Sequence, residues 1–202
     1  TTTLAANATS LSDCVCQTGS WSPVTAADAV VAFNPANEVF DGSTYYDDGP
    51  KTSNIANGFT IVLKADFGEA GNWERILALH NSASDRQLVF YRHGTTSEFY
   101  LSVWGTSGAC SFKFGNASPG TTHSVFVRFE PSGQFDASFD GTTSTLACDK
   151  GFSSKTVTKS WIGQSEEASP NTQYFKGSIA GLYAFNRYLS DAEAEAVLAT
   201  IQ

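Results

Sequence analysis

The chain has 202 residues, enough for one well-buried core, and carries a net charge of −8 with a sequence pI of about 4.7. That acidity argues against binding to nucleic acid or an anionic membrane, since both are held by cationic surfaces that release counterions. No apolar run approaches the ~20 residues that cross a bilayer, so membrane insertion is not expected.

Residues 1–25 stand apart. They are rich in Thr, Ser and Ala, alternate poorly, and hold Cys14 and Cys16. They read as an N-terminal extension ahead of one domain over 26–202. The chain starts Thr1-Thr2-Thr3 and has no methionine, as expected once a secretory leader is removed. Beyond Val30 the pattern is a series of short β runs separated by turn residues. Residues 59–67 alternate, with Phe59, Ile61, Leu63, Ala65 and Phe67 on one face. Residues 97–104 place Phe99, Leu101 and Val103 opposite Tyr100 and Trp104. Strands over 123–130 and 134–140 are joined by a hairpin turn at Glu130-Pro131-Ser132-Gly133. A further strand covers Lys155 to Gly163. A last one runs through Ile179, Leu182, Tyr183 and Phe185, with Gly177 and Gly181 marking a bulge or close approach. Ser190 and Glu193 then form a capping box that starts a short helix with Val197, Leu198 and Ile201 as its apolar stripe. The fold class is all-β, a two-sheet antiparallel sandwich with one C-terminal helix.

The order of Phe40-Asp41-Gly42, Phe59-Thr60-Ile61, Thr122-His123-Ser124-Val125, Phe135 to Gly141, Trp161-Ile162-Gly163 and the closing Asn186-Arg187-Tyr188-Leu189-Ser190-Asp191 resembles the laminin-G-like (concanavalin A-like) jelly-roll family. The resemblance implies a jelly roll over roughly residues 28–201. It leaves function open, because lectins, adhesion modules, structural domains and glycan-cleaving enzymes share this fold. Thr122 stands where the family usually has Trp, and the cysteine-bearing extension is a further departure. Relatives often bind Ca²⁺ through loop carboxylates, which makes Asp41, Asp47 and Asp48 the candidate ligands; no other cofactor is implied.

Catalysis is not expected. The Glu-x-Asp-x-x-Glu strand that supplies acid and nucleophile in glucanases of this superfamily is missing, and His80, His93 and His123 lack an adjacent nucleophile. A glycan platform is the expected site. Tyr100 and Trp104 share a strand face that Tyr91 and His93 can join, and Arg128 and Asp136 offer hydrogen bonds to hydroxyls. The partner is then a glycan or an extracellular protein. The competing reading is a structural protomer whose extension adds to a neighbour's sheet edge and builds an oligomer or filament.

Four cysteines allow three pairings. Cys110 with Cys148, which flank the 123–140 hairpin, is preferred over crossed pairs, although it leaves Cys14 with Cys16 in a tight ring. Asn7 and Asn116 head N-glycosylation sequences. Together these features predict an extracellular, secreted chain.

Overall fold

The computed structural model describes residues 24–34, 38–49, 51–53, 57–69, 71–82, 85–105, 107–150, 155–165 and 173–202. Cys14, Cys16, Asn7 and the N-terminal segment expected to contact a neighbour lie outside the described residues, apart from positions 24 and 25 of that segment.

The strands in chain order begin with β1 (Val31–Phe33), β2 (Glu38–Asp41), β3 (Tyr46–Asp47), β4 (Lys51–Ser53) and β5 (Phe59–Phe67). Next come β6 (Arg75–Ser82), β7 (Asp85–Arg92), β8 (Glu98–Gly105), β9 (Gly108–Asn116) and β10 (Thr122–Phe129). The last are β11 (Gln134–Phe139), β12 (Thr142–Ala147), β13 (Lys155–Val157), β14 (Lys159–Ile162) and β15 (Lys176–Phe185), followed by helix α1 (Asp191–Thr200). The first sheet runs β1-β15-β5-β10-β11-β12, with β2 also on β15, and the second runs β3-β14-β6-β7-β8-β9. A short β4–β13 ladder completes the pairing. The strand expected over 155–163 is therefore two pieces, serving different partners on either side of Thr158.

Each long strand turns one set of alternating side chains into the space between the sheets. With no methionine in the chain, phenylalanine fills much of that space: Phe59, Phe67, Phe90, Phe99, Phe129 and Phe135 are all essentially buried. Phe67 meets Phe99 edge-on at 4.7 Å and 81°, the arrangement that sets a positive ring edge against a negative face. Among the described residues a disulfide, Cys110–Cys148, ties β9 at the edge of the second sheet to the residue after β12 at the edge of the first.

The two outer faces differ, and this positions the site. Helix α1 lies on the outside of the first sheet, where Ala194, Val197 and Ile201 bury Val62, Phe126 and Tyr183. The capping box is present: Glu193 N donates to Ser190 Oγ at 3.3 Å, and Ser190 N donates to Glu193 Oε2 at 2.7 Å. Gly181 sits at the β15 bulge, and a Cβ there would meet Ile201 Cγ2 at 2.8 Å, so its lack of a side chain lets the helix end dock. The outside of the second sheet is not covered by that helix, and its side chains form a separate cluster of aromatic residues.

Candidate functional site: the outer face of the second sheet

Register assembles this face. Residues directly opposite one another in a ladder share a face. One row reads Arg75, Tyr91, Tyr100 and Lys113, and the next reads Trp161, Ala78, Val89, Ser102 and Ser111. The second row has small residues at its centre, and the first is tall and aromatic. The result is a depression of about 170 Å³ lined by Trp73, Arg75, Arg86, Val89, Tyr91, Ser102, Trp104 and Ser111.

Its walls are ring systems. Tyr91 stacks on Tyr100 at 5.7 Å and 20°, while His93 packs against Tyr100 at 4.9 Å and against Trp73 at 4.3 Å. Both arginines lie over rings: the Arg75 guanidinium is 4.8 Å from Tyr91, and that of Arg86 is 4.9 Å from Trp104. Stacking holds each planar guanidinium in place against the ring walls of the groove. The floor is a chain of hydroxyls, with Tyr91 Oη 3.0 Å from Ser102 Oγ and Ser102 Oγ 2.7 Å from Ser111 Oγ. Such a floor can both donate to and accept from a polyhydroxylated ligand.

Trp73 is held in place from behind. It adopts φ 55°, a left-handed conformation that is costly for a bulky residue. Its amide donates to Gly94 O at 2.8 Å, and the following residue, Glu74, is fully buried. Arg92 Nε donates to Glu74 Oε2 at 2.6 Å, and Arg92 also donates to the carbonyls of Gly68 at 2.8 Å and Glu69 at 3.1 Å. Burial pushes the Glu74 carboxyl up, and the Arg92 guanidinium pulls back against that rise. One buried ion pair thus ties Gly68 and Glu69 to Glu74, the residue next to Trp73.

Of the glycan-face residues expected from sequence, Tyr91, His93, Tyr100 and Trp104 come together here. Arg128 and Asp136 do not. They pair with each other across β10 and β11 in the first sheet, on the opposite side of the sandwich. Arg128 lies between the rings of Phe126 at 4.9 Å and Tyr188 at 4.7 Å, donates to Leu189 O at 3.0 Å and pairs with Asp191 at 2.5 Å. Asp136 accepts from Tyr188 Oη at 2.7 Å. Burial, helped by that bond, pushes the Tyr188 phenol up. Both residues fasten the connection into α1. A second depression of about 170 Å³ on this side, lined by Lys64, Asp66, Thr122 and Ser178 among others, has no aromatic wall, and Lys64 Nζ donates to Ile201 O at 3.0 Å.

The residues that sequence reasoning missed are Trp73, Arg75, Arg86 and Trp161. Trp73 precedes its strand, and bulges interrupt the β6–β7 register between Arg75 and Leu77 and again around His80, so alternation does not extend to either arginine.

The loop carboxylates take local partners. Asp41 Oδ1 accepts from the amides and hydroxyls of both Ser43 and Thr44, and these donors, the Ser43 hydroxyl foremost, lower its carboxyl to about 2. Asp47 accepts from Gly49 N at 2.9 Å, and Asp48 pairs with Lys51 at 3.0 Å. Among the described residues, no group of three or more His, Cys, Asp or Glu side chains is placed to hold a metal ion. Asn116 is exposed at the end of β9.

No protein-family model matches the sequence, and no curated protein does either. Solved structures do share the fold. The carbohydrate-binding module CBM40 of the Ruminococcus gnavus IT-sialidase, bound to α2,3-sialyllactose, superposes with a TM-score of 0.62 at 14% identity, covering 86% of this chain and 98% of that one. The NanB sialidase of Streptococcus pneumoniae, as its K499G mutant, gives a TM-score of 0.64 at 12% identity, covering 84% of this chain and 28% of that one. The Trypanosoma rangeli sialidase in complex with sialic acid gives 0.54 at 14% identity, covering 83% of this chain and 29% of that one. The chain thus spans the whole of the isolated module and less than a third of either sialidase. At these identities the likeness establishes the β-sandwich fold, which is compatible with the laminin-G-like resemblance.

Proposed function

We propose that this chain is a carbohydrate-binding module that takes acid-bearing glycans on the outer face of its second sheet. The observation that carries the reading is the groove itself. It has ring walls for sugar C–H faces, a hydroxyl floor, and two ring-stacked arginines within a chain of net charge −8. Cations gathered in a groove on an acidic protein favour a carboxylated or sulfated sugar over a neutral one. The R. gnavus module, captured with sialyllactose, supports the same ligand class. The role proposed is binding without cleavage, supported by the isolated R. gnavus module, a carbohydrate-binding module of the same fold that this chain spans almost end to end. The disulfide and the exposed Asn116 sequence fit a secreted protein, which is where such a module would meet its ligand.

The test is calorimetric titration with α2,3-sialyllactose, hyaluronan oligosaccharides and, as the neutral control, lactose. Saturable binding of an acidic sugar, weakened about tenfold by Trp104→Ala, is the expected result. Equal affinity for lactose and the acidic sugars, or no effect of Trp104→Ala, would overturn the assignment.

A further inference from the structure

The row that forms the groove floor does not end at the groove. It continues from Val89 through Ala78 on β6 to Trp161 on β14. Trp161 is the centre of a second ring cluster. Tyr45 is 6.4 Å from it, Tyr174 is 6.2 Å from Tyr45, and Lys159 Nζ lies 5.3 Å from the indole. Tyr45 is 46% exposed, as few large apolar side chains among the described residues are. Tyr174 bridges directly to Arg75, so this cluster adjoins the groove at its arginine side.

From these contacts we infer that the groove is one end of a longer site, and that Trp161, Tyr45 and Lys159 form a second sugar subsite. This rests on the carbohydrate reading and specifies the ligand: an oligosaccharide lying across the strands, with its acid-bearing residue at Arg75 and Arg86 and further residues on Trp161. The spacing supports this occupant. Trp161 is two strands from Val89 and three from Ser102, or roughly 10 and 14 Å at the usual inter-strand distance. A single sugar held in the groove leaves that stretch uncovered, whereas a chain of several residues covers it. Between the two ring clusters stand Ala78 and Val89, both too short to obstruct a chain passing over them. The charge pattern agrees. Asp47, opposite Trp161, has one carboxylate oxygen on the Gly49 amide, so the Trp161 end sets this carboxylate beside the Lys159 ammonium, whereas the groove end carries the two arginines. The Trp161 end therefore suits neutral or alternately charged residues stacked on rings.

The experiment is a chain-length series measured by calorimetry on the full chain: sialic acid, α2,3-sialyllactose and a sialylated pentasaccharide, beside hyaluronan oligosaccharides of increasing length. Affinity should rise with length, about fivefold or more between the shortest and longest binders. Trp161→Ala should abolish that rise and leave the shortest binder unchanged, and Tyr45→Ser, at an exposed position, should halve the gain without risk to the core. Binding that is independent of length and indifferent to both substitutions overturns the second subsite while leaving the groove intact. Failure of every member to bind the wild-type chain overturns the groove reading as well, so the two failures are distinct.

Discussion

Replacing Arg92 by Met tests how the binding face is held. Arg92 and Glu74 have side-chain exposures of 1% and 0%, so the substitution leaves a carboxylate in the protein interior without its ion-pair partner, with only the weaker field of Lys176 to offset it. It also strips the Gly68 and Glu69 carbonyls of their donors. Breaking a buried pair in this way costs about 3–5 kcal/mol, which for a domain of this size lowers the melting temperature by roughly 6–20 °C. The loss should depend on pH. Burial already raises the folded-state pKa of Glu74 above its ordinary 4.5, and removing Arg92 raises it further. A carboxyl raised on folding penalises the native state as pH climbs above the unfolded value, because the unfolded chain ionises first. Urea melts should therefore show a smaller loss at pH 4.5 than at pH 7.5. The double variant Glu74→Gln/Arg92→Met, with both charges gone, should recover at least half of the loss at the higher pH. The ring contacts of Trp73 should loosen as well, weakening acidic-sugar binding in the folded fraction. A loss below about 1 kcal/mol, or an equal loss at both pH values, would refute the argument that this pair constrains the turn.

Three further outcomes are expected. Reducing Cys110–Cys148, which closes a loop over a sequence separation of 38, should cost about 4 kcal/mol by the chain-entropy relation and lower the melting temperature by about 8–16 °C, read by calorimetry with and without reductant. Ser190→Ala removes the helix cap and should cost about 1 kcal/mol in urea melts. Glu193→Gln should destabilise at pH 7 and converge with wild type once the pH falls below the lowered folded-state value. Burial raises the Glu193 carboxyl, but the Ser190 donors and Arg187 outweigh that rise and hold it below 4.5. Its contribution is therefore complete above that value and lost as pH falls through the lower folded one.

The closing strand, its bulge and the capped helix were all legible in the sequence. Each depends on local chemistry: a glycine where Ile201 needs space, and a serine three residues before a glutamate. Alternation also placed Tyr91, His93, Tyr100 and Trp104 on one face correctly, because cross-strand partners keep parity along an unbroken ladder. It failed for Arg128 and Asp136. These two are true partners in a ladder, but periodicity does not reveal which of two sheets a strand joins, and topology put β10 and β11 on the far side. Val62 is a milder case. It reads as outward-facing beside Ile61 and Leu63, yet α1 buries it. Trp73 was hidden for another reason, since its orientation comes from a left-handed turn fixed by Glu74 and Arg92, a contact 18 residues apart in sequence.

The central claim, that acidic glycans bind on the outer face of the second sheet, is tested most directly by mapping amide and indole NMR shifts during titration with α2,3-sialyllactose and with a hyaluronan oligosaccharide. The account predicts saturable changes concentrated at Trp73, Arg75, Tyr91, Ser102 and Trp104 for at least one of the two. Changes centred instead on the first sheet around Lys64, Asp66 and Ser178, or no changes with either sugar, would contradict it.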